Sequence, residues 1–339
     1  MVRQRNKVKE KIGETVKRNL ENVFVIAQKE FTDSIWSPRF YLILGIFMTA
    51  LLVLGYQAGQ NISGTGGKSF GGISPLTMGF MSFASQMSLF GPLIAIILGF
   101  DAIVKERKSG SLNVLLTHPV YRDQVITGKL IGIMLTLGSV VVIAVAASTG
   151  VMLGISGITV SAELISRIIV FMMLAFLFML SYLSLSVAVS TFTKESSDSL
   201  IYSIAVWLVL GLLLSMVAYT AAGIITGQQK MFEVSSDDPS SMEKMKKRDK
   251  IAQDIMSLSP STHFTELITG PQQAGGYIVM SAGGVSEKPS EMRGLFDTGF
   301  TLGYWVEQNW VNLVVLIVIP VILLLISYMA FMRKDITLL

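Results

Sequence analysis

Residues 129–153 have the sequence KLIGIMLTLGSVVVIAVAASTGVML, and after Lys129 no Asp, Glu, Lys or Arg occurs before Glu163. About 20 mostly apolar residues are enough for a helix to cross the hydrocarbon core of a bilayer. The whole 339-residue chain has this character, since 51% of its residues are hydrophobic and only 15% are charged. A chain of this composition cannot cover a water-facing surface. The sequence therefore indicates an integral membrane protein.

Similar apolar stretches recur along the chain. Backbone N–H and C=O groups in lipid must be bonded internally, which leaves helices or closed barrels as the possible spanning structures. The short alternating segments of a transmembrane barrel do not occur in this sequence. We therefore predict an all-α membrane protein with six transmembrane helices. The predicted spans are 39–57, 80–104, 129–153, 167–192, 200–222 and 310–332.

The distribution of Lys and Arg orients these spans. Eight such residues precede the first span, and others follow the second, fourth and sixth spans. Short loops rich in Lys and Arg stay in the cytoplasm. Because all of these segments lie on one side of an even-numbered bundle, we predict a multi-pass protein of the plasma membrane with both termini in the cytoplasm.

The N-terminal segment is predicted to form an amphipathic helix over residues 8–36. Its apolar residues recur every three or four positions, and Lys and Arg occupy the other face. Such a helix should lie flat on the inner membrane surface; the alternative is a helix of a soluble tail. The apolar positions are Ile12, Val16, Leu20, Val23, Ala27 and Phe31.

The last external loop is long and carries 8 basic and 11 acidic residues. We expect it to contain a helical segment between the fifth and sixth spans. Its cluster of basic side chains from Lys244 to Lys250 is interleaved with acidic ones, which favours a solvated face over a site for an external partner or anionic lipid. The predicted organisation is an interfacial helix at 1–38, spans one to five at 39–222 with a cytoplasmic loop at 105–128, an extracytoplasmic loop domain at 223–309, and span six with a cytoplasmic tail at 310–339.

The first cytoplasmic loop is the most informative part of the chain. Residues 101–129 have the sequence DAIVKERKSGSLNVLLTHPVYRDQVITGK. Ser111 can cap a short apolar helix that Pro119 ends. Its leucines could dock into a groove on a cytosolic partner or pack under the protein's own inner face. The sequence alone leaves these two interpretations open.

The order of residues in this loop is that of a known family. The pattern Asp-x4-Glu-Arg-x2-Gly-Ser-Leu-x2-Leu-Leu-Thr-x-Pro-Val-x-Arg-x5-Gly-Lys resembles the signature loop of type-2 ABC transporter permeases, the exporter-like class. SLSPSTHFTEL at 257–267 and FMRKDI at 331–336 are similar to the external segment and the C-terminal ending of these permeases. The branch that the chain resembles is linked to nitrous-oxide-reductase maturation and gliding motility.

This resemblance implies how the protein works. Two permease subunits, expected as a homodimer, would assemble with two cytosolic ATPase subunits that bind ATP and Mg²⁺. The loop would be the main coupling helix, and Thr193–Ser199 a second, smaller contact. Closure of the ATPases would then tilt the spans as rigid bodies. The residues implied to meet the ATPase are Glu106, Arg107, Gly110, Ser111, Leu112, Leu115, Leu116, Pro119, Arg122, Lys194 and Glu195.

Polar side chains inside the spans are candidates for a translocation path. Small hydroxyls also form hydrogen bonds between helices, and we consider that the more common reason for their presence. The candidates for the path are Ser82, Ser85, Gln86, Ser181 and Ser184, and the same two spans also contain Ser88, Ser186 and Ser190.

Other function classes have little support in the sequence. The chain has no Cys and two His, which argues against a metal centre or a nucleophilic catalytic set. Gly66-Gly67-Lys68-Ser69 lacks the earlier glycine of a phosphate-binding loop, because that position is Ile62. We therefore predict a permease subunit of an ATP-driven exporter that is not itself an enzyme and binds no cofactor. A scaffold or sensor that binds a cytosolic partner is the main alternative, ahead of a secondary carrier or a membrane enzyme.

Overall fold

A computed structural model describes residues 2–64, 75–105, 122–227, 239–270, 294–297 and 299–333. Within these ranges the regular structure is helical and no strand occurs, which confirms the all-α prediction. The helices with described bounds are α1 Val2–Ile35, α2 Pro38–Gly64, α3 Pro75–Gly99, α4 Arg122–Ser156, α5 Ala162–Phe192, α6 Ser196–Thr226, α7 Pro239–Met256, α8 Pro260–Thr269 and α9 Leu302–Arg333.

Six of the described helices are long and apolar enough to cross a membrane, which confirms the six predicted spans. They are α2 to α6 and α9, and their lengths run from 25 to 35 residues. At about 1.5 Å per residue these helices are roughly 38 to 53 Å long, whereas the hydrocarbon core is about 30 Å thick. All six begin before the predicted spans, but α3 ends at Gly99, five residues before the predicted end at 104.

Helix α5 lies at the centre of the bundle. It packs against α3, α4, α8 and α9, and its Phe171, Phe178 and Val187 are fully buried. Half of its apolar window is buried, compared with 11% for α6 and 17% for α9. Helices α6 and α9 thus lie at the outside of the subunit, and most of their apolar surface is open.

Glycines bring α1, α2 and α4 close together. A Cβ atom on Gly55 of α2 would lie 2.5 Å from the backbone oxygen of Ser148 in α4. A Cβ atom on Gly132 of α4 would lie 2.7 Å from the backbone oxygen of Ala27 in α1. Small residues allow such backbone contact between helices in membranes. These three helices therefore form one tightly packed group.

Helix α1 keeps part of its apolar surface open. Its contact with α4 includes an ion pair of 3.0 Å between Glu30 Oε1 and Lys129 Nζ. Leu20 and Phe24, one turn apart, are 64% and 68% exposed. The place of this helix on the membrane surface stays a prediction, and these two side chains are among those that would enter the lipid.

Helices α7 and α8 form a hairpin along the side of the bundle. Helix α7 packs on α6 through the buried alanines Ala218, Ala222 and Ala252. Helix α8 lies among α3, α5 and α9, where the ring of Phe264 stacks on that of Phe178 with centroids 4.6 Å apart. These helices belong to the predicted loop domain at 223–309, whose place outside the membrane stays a prediction.

The turn of this hairpin lies deep along α5. The hydroxyl oxygens of Tyr182 and Ser261 are 3.2 Å apart. Tyr182 is twenty residues after Ala162, the first residue of α5. At about 1.5 Å per residue the turn therefore lies roughly 30 Å from that end of the helix, well past its midpoint.

A buried arginine fastens the segment before α9 to the other end of α5. Arg167 is 1% exposed, and its guanidinium donates to the carbonyl oxygens of Leu295, Asp297 at 2.9 Å and Phe300 at 2.5 Å. It also forms an ion pair with Glu163 at 2.7 Å. The cost of burying this charge is offset by the hydrogen bonds it donates. We refer to this contact as the Arg167 clasp.

An aromatic contact reinforces the clasp. The ring of Phe296 stacks on that of Phe80 in α3, with centroids 3.5 Å apart, and Thr77 Oγ1 donates to the Phe296 carbonyl oxygen at 3.3 Å. The Leu295 amide donates to the carbonyl oxygen of Ile268 in α8 at 3.2 Å. This end of the bundle is therefore closed by a non-helical segment whose side chains enter the core.

The glycine contact between α2 and α4 predicts opposite effects for two alanine substitutions in the same helix. Gly55→Ala should lower the thermal unfolding temperature in detergent, because overpacking against backbone costs about 1–3 kcal/mol. Gly45→Ala meets no atom within 4 Å and should leave stability unchanged or raise it by up to about 1 kcal/mol. Equal effects of the two substitutions would contradict the close approach.

The Arg167 clasp predicts faster hydrogen exchange after Arg167→Lys. The ammonium of lysine cannot donate to several carbonyl oxygens in the planar arrangement of a guanidinium. Hydrogen bonds from charged donors contribute about 1.5–3 kcal/mol each. The amides of 295–297 should exchange at least about tenfold faster, measured by mass spectrometry. Glu163→Gln is the control, because it removes the negative charge of a half-exposed partner and retains the three carbonyl contacts. Similar exchange in both variants would show that the ion pair, and not the carbonyl contacts, holds the segment.

Candidate functional site

The predicted coupling loop is described at its two ends. Lys105 is exposed at the first end, and Arg122 begins α4 at the second. The predicted contact residues between them lie outside the described residues, as does the side chain of Arg122. These residues are Glu106, Arg107, Gly110, Ser111, Leu112, Leu115, Leu116 and Pro119. Their contact with an ATPase stays a prediction.

The first end of the loop is a buried turn. Helix α3 ends at Gly99, and the chain becomes helical again at Val104 and Lys105. The Ala102 amide donates to the Gly99 carbonyl oxygen at 3.2 Å. Ala102, Ile103 and Val104 are all buried. A bend thus separates the span from the loop, and side chains of the bundle enclose it.

Two serine hydroxyls of α5 hold this bend. The amides of Ile103 and Val104 donate to Ser190 Oγ at 3.2 and 3.3 Å. Ser186 Oγ donates to the Ile96 carbonyl oxygen at 3.1 Å. Both serines are fully buried. The first amides of a helix have no acceptor within that helix and need one from outside. Ser190 of α5 supplies this acceptor and so takes the place of an N-cap side chain.

The other end of the loop is attached to α1. Gln124 in the first turn of α4 is buried and accepts a hydrogen bond of 3.2 Å from Asn22 Nδ2. One turn further along, Lys129 pairs with Glu30 of α1. The two ends of the loop are therefore fastened to different helices, the first to α5 and the second to α1.

The second predicted contact is the short connection between α5 and α6. Lys194 and Glu195 are exposed there, and the Thr193 amide donates to the Val189 carbonyl oxygen at 3.0 Å. Lys194 follows Ser190 by four residues, about 6 Å along a helix axis. The structure thus brings the start of the coupling loop and the Lys194–Glu195 connection to the same end of α5.

The five candidate path residues are divided between two environments. Ser82 and Ser85 of α3 are exposed and donate to the carbonyl oxygens of Met78 and Met81 in their own helix. Gln86 is half-buried. Ser181 and Ser184 of α5 are buried and also bond within their own helix, to Leu177 and Ser181. The structure does not bring the five together on one surface of this chain.

Sequence reasoning missed a polar network at the hairpin. The ring nitrogens of His263 lie 2.8 Å from Asn312 Oδ1 and 2.7 Å from the Ser257 carbonyl oxygen. Asn312 Nδ2 donates to Glu266 Oε2 at 3.1 Å, and Gln253 Nε2 donates to the other oxygen of Glu266 at 2.7 Å. This network joins α7, α8 and α9. An asparagine within the sixth span was the one signal in the sequence that could have indicated it.

The described side chains at the two ends of the loop form buried or partly buried hydrogen bonds. Within the described ranges, no group of three or more His, Asp or Glu side chains is placed to hold a metal ion. These hydrogen bonds tie both ends of the loop to helices of the bundle.

Comparison with known proteins gives the family. The family model described as ABC-2 family transporter protein matches residues 24–336. Two relatives are named "Probable ABC transporter permease protein NosY". The one from Stutzerimonas stutzeri is 32% identical over 127 residues, which cover 37% of this chain and 43% of the relative. The one from Pseudomonas aeruginosa is 30% identical over 188 residues, 55% of this chain and 65% of the relative. The matches thus span less than two thirds of either relative's length.

The family match and the helices agree. The match extends from within α1 to just past the end of α9, and all six apolar helices that could cross a membrane lie within it. This multi-pass chain belongs to the ABC-2 family of transporter proteins and is the membrane subunit of an ABC transporter.

Proposed function

We propose that this chain is the permease of an ATP-driven exporter and that it couples ATP hydrolysis by a separate cytosolic ATPase to substrate movement. The observation that carries this proposal is the anchoring of the 106–121 loop. One end is fastened to Ser190 of α5, and the other to α1 through Gln124 and Lys129. A loop anchored in this way transfers a push from a bound ATPase to the spans.

The complex contains two copies of the permease and two ATPase subunits. The open surface of α6 supports a second copy of this chain, because α6 contacts α3 and α5 near its start and α7 near its end. Between these contacts, Val209, Leu212 and Leu213 are at least 40% exposed. These residues lie in or beside a π-helical turn at Val209–Leu213, and such turns occur often at functional sites.

ATP and Mg²⁺ belong to the ATPase subunits, and this chain supplies the conducting helices. It is a conduit and not an enzyme. ATP binding favours one of two arrangements of the spans, because the ATPase contacts the loop differently in each. The loop and the Lys194–Glu195 connection share one end of α5, so a single ATPase surface can contact both.

Both termini and the coupling loop lie in the cytoplasm, and the protein lies in the plasma membrane. The Lys and Arg bias of the short loops supports this orientation. The exposed Leu20 and Phe24 of α1 support a place for that helix at the inner membrane surface, where apolar side chains of an amphipathic helix enter the acyl boundary.

Changing the loop should disrupt the ATPase interaction. Leu115→Asp puts a charge into an apolar contact, and Glu106→Ala removes a charged partner. Each should weaken co-purification of the ATPase by at least about tenfold or abolish its stimulation, as loss of a central interface residue does. Val160→Asp is a control, because Val160 is an exposed apolar residue in the connection between α4 and α5, at the end of α5 opposite to the loop. Unchanged assembly and unchanged ATPase stimulation with both loop variants would contradict the proposal. A parent protein that assembles with the ATPase but does not change its rate of ATP hydrolysis would favour a scaffold.

The orientation can be tested with single cysteines, because the chain has none of its own. A membrane-impermeant maleimide should label Lys244→Cys in α7 on intact cells. It should label Lys194→Cys only after the cells are permeabilised. Both lysines are exposed, so a difference in labelling reports the side of the membrane. Labelling of Lys194→Cys on intact cells would place the loop outside and exclude contact with a cytosolic ATPase.

A further inference from the structure

We infer that α5 moves as one rigid helix and carries movement of the coupling loop to the hairpin and to the Arg167 clasp. Ser190 is the positioning residue that joins the loop to α5. This inference rests on the proposed function, since it requires that an ATPase moves the loop. It adds the route by which that movement crosses the bundle.

Three attachments on one helix define the route. At one end, Ser190 and Ser186 hold the bend before the coupling loop. Eight residues before Ser190, Tyr182 contacts Ser261 at the turn of the hairpin. At the other end, Arg167 holds the segment before α9 by three carbonyl oxygens. No other described helix carries all three contacts.

The composition of α5 makes it the stiffest of the spans. Its 31 residues include neither Gly nor Pro, whereas each of the other five spans contains at least one glycine. Helices α3 and α9 also contain Pro92 and Pro320, and α6 contains its π-helical turn. Prolines, glycines and π turns are where helices bend. A displacement at Ser190 therefore reaches Arg167 along a helix without glycine, proline or a π turn.

The bond to Ser190 determines whether the loop and α5 move together. Its single hydroxyl accepts two buried amides of the bend, so its loss leaves both amides without that acceptor. Ser184 provides a matched comparison. It is equally buried in the same helix, but its hydroxyl donates to the Ser181 carbonyl oxygen of α5 itself, at 2.8 Å. Removal of the Ser184 hydroxyl leaves the contact between α5 and the loop intact.

The test places a reporter at the far end of α5. Ser166 is exposed beside the Arg167 clasp, and it lies 24 residues, about 36 Å, from Ser190. An environment-sensitive fluorophore on Ser166→Cys is followed in the complete transporter in lipid vesicles, with accessible cysteines of the ATPase replaced. The measured quantities are the fluorescence change on adding ATP, the rate of ATP hydrolysis and the amount of assembled complex.

In the Ser190→Ala variant, the ATP-dependent fluorescence change should fall about five- to tenfold while assembly and hydrolysis persist, as expected for the loss of one or two hydrogen bonds. Ser184→Ala should respond like the parent, and Ser190→Thr should recover the response because it keeps the acceptor. Ser186→Ala, which removes the bond to Ile96, should show a smaller drop of about twofold. It serves as the test if Ser190→Ala does not assemble, and a full response from it would then overturn the inference.

Three further outcomes are distinct. A full response in Ser190→Ala, with ATP hydrolysis and assembly as in the parent, would overturn the role of Ser190 and leave the proposed function standing. If the parent assembles with the ATPase and stimulates it but shows no ATP-dependent change at Ser166→Cys, the route through α5 is wrong and the proposed function stands. A parent that neither assembles with the ATPase nor stimulates it would overturn both.

Discussion

The fold depends on the need to bond every backbone N–H and C=O group that is withdrawn from water. Within a helix this need is met by the chain itself. Where the chain stops being helical inside the bundle, a side chain from another element supplies the missing hydrogen-bond partner. Ser190 accepts from the amides of Ile103 and Val104 where α3 ends. Arg167 donates to the carbonyls of the segment before α9.

The hairpin turn meets the same need with short polar side chains. Thr262 Oγ1 donates to the Met256 carbonyl oxygen at 2.8 Å, and Ser259 Oγ accepts from the Ser261 amide at 3.3 Å. His263 bonds the Ser257 carbonyl oxygen. The run SLSPSTHFTEL is thus polar because it turns the chain where water is scarce. In each of these three non-helical segments, the bonding side chain also ties separate elements to one another.

The six spans could be predicted because their signals are continuous over many residues. The depth of the hairpin could not be, since α8 has ten residues and the charges of α7 are typical of a solvated helix. Arg167 is the first residue of the predicted fourth span, and a lone cation at a span end normally reaches water. Its partners are carbonyl oxygens more than 120 residues away, and carbonyls leave no trace in a sequence. In the sequence Ser190 is one hydroxyl among several. Only the structure distinguishes its contact with the bend after α3 from the hydrogen bond that Ser184 makes within α5.

The coupling loop connects two parts of the bundle that are packed in different ways. Within the group of α1, α2 and α4, glycines allow backbone contact, as at Gly55 and Gly132. Between α4 and α5 the contact is an ordinary one, with a Cβ on Gly138 lying 3.6 Å from the Phe176 ring. Backbone contacts resist sliding, whereas side chains can change rotamer and allow small shear movements of packed helices. Because one end of the loop is fastened to α5 and the other to α1, a push on the loop acts across the looser of these interfaces.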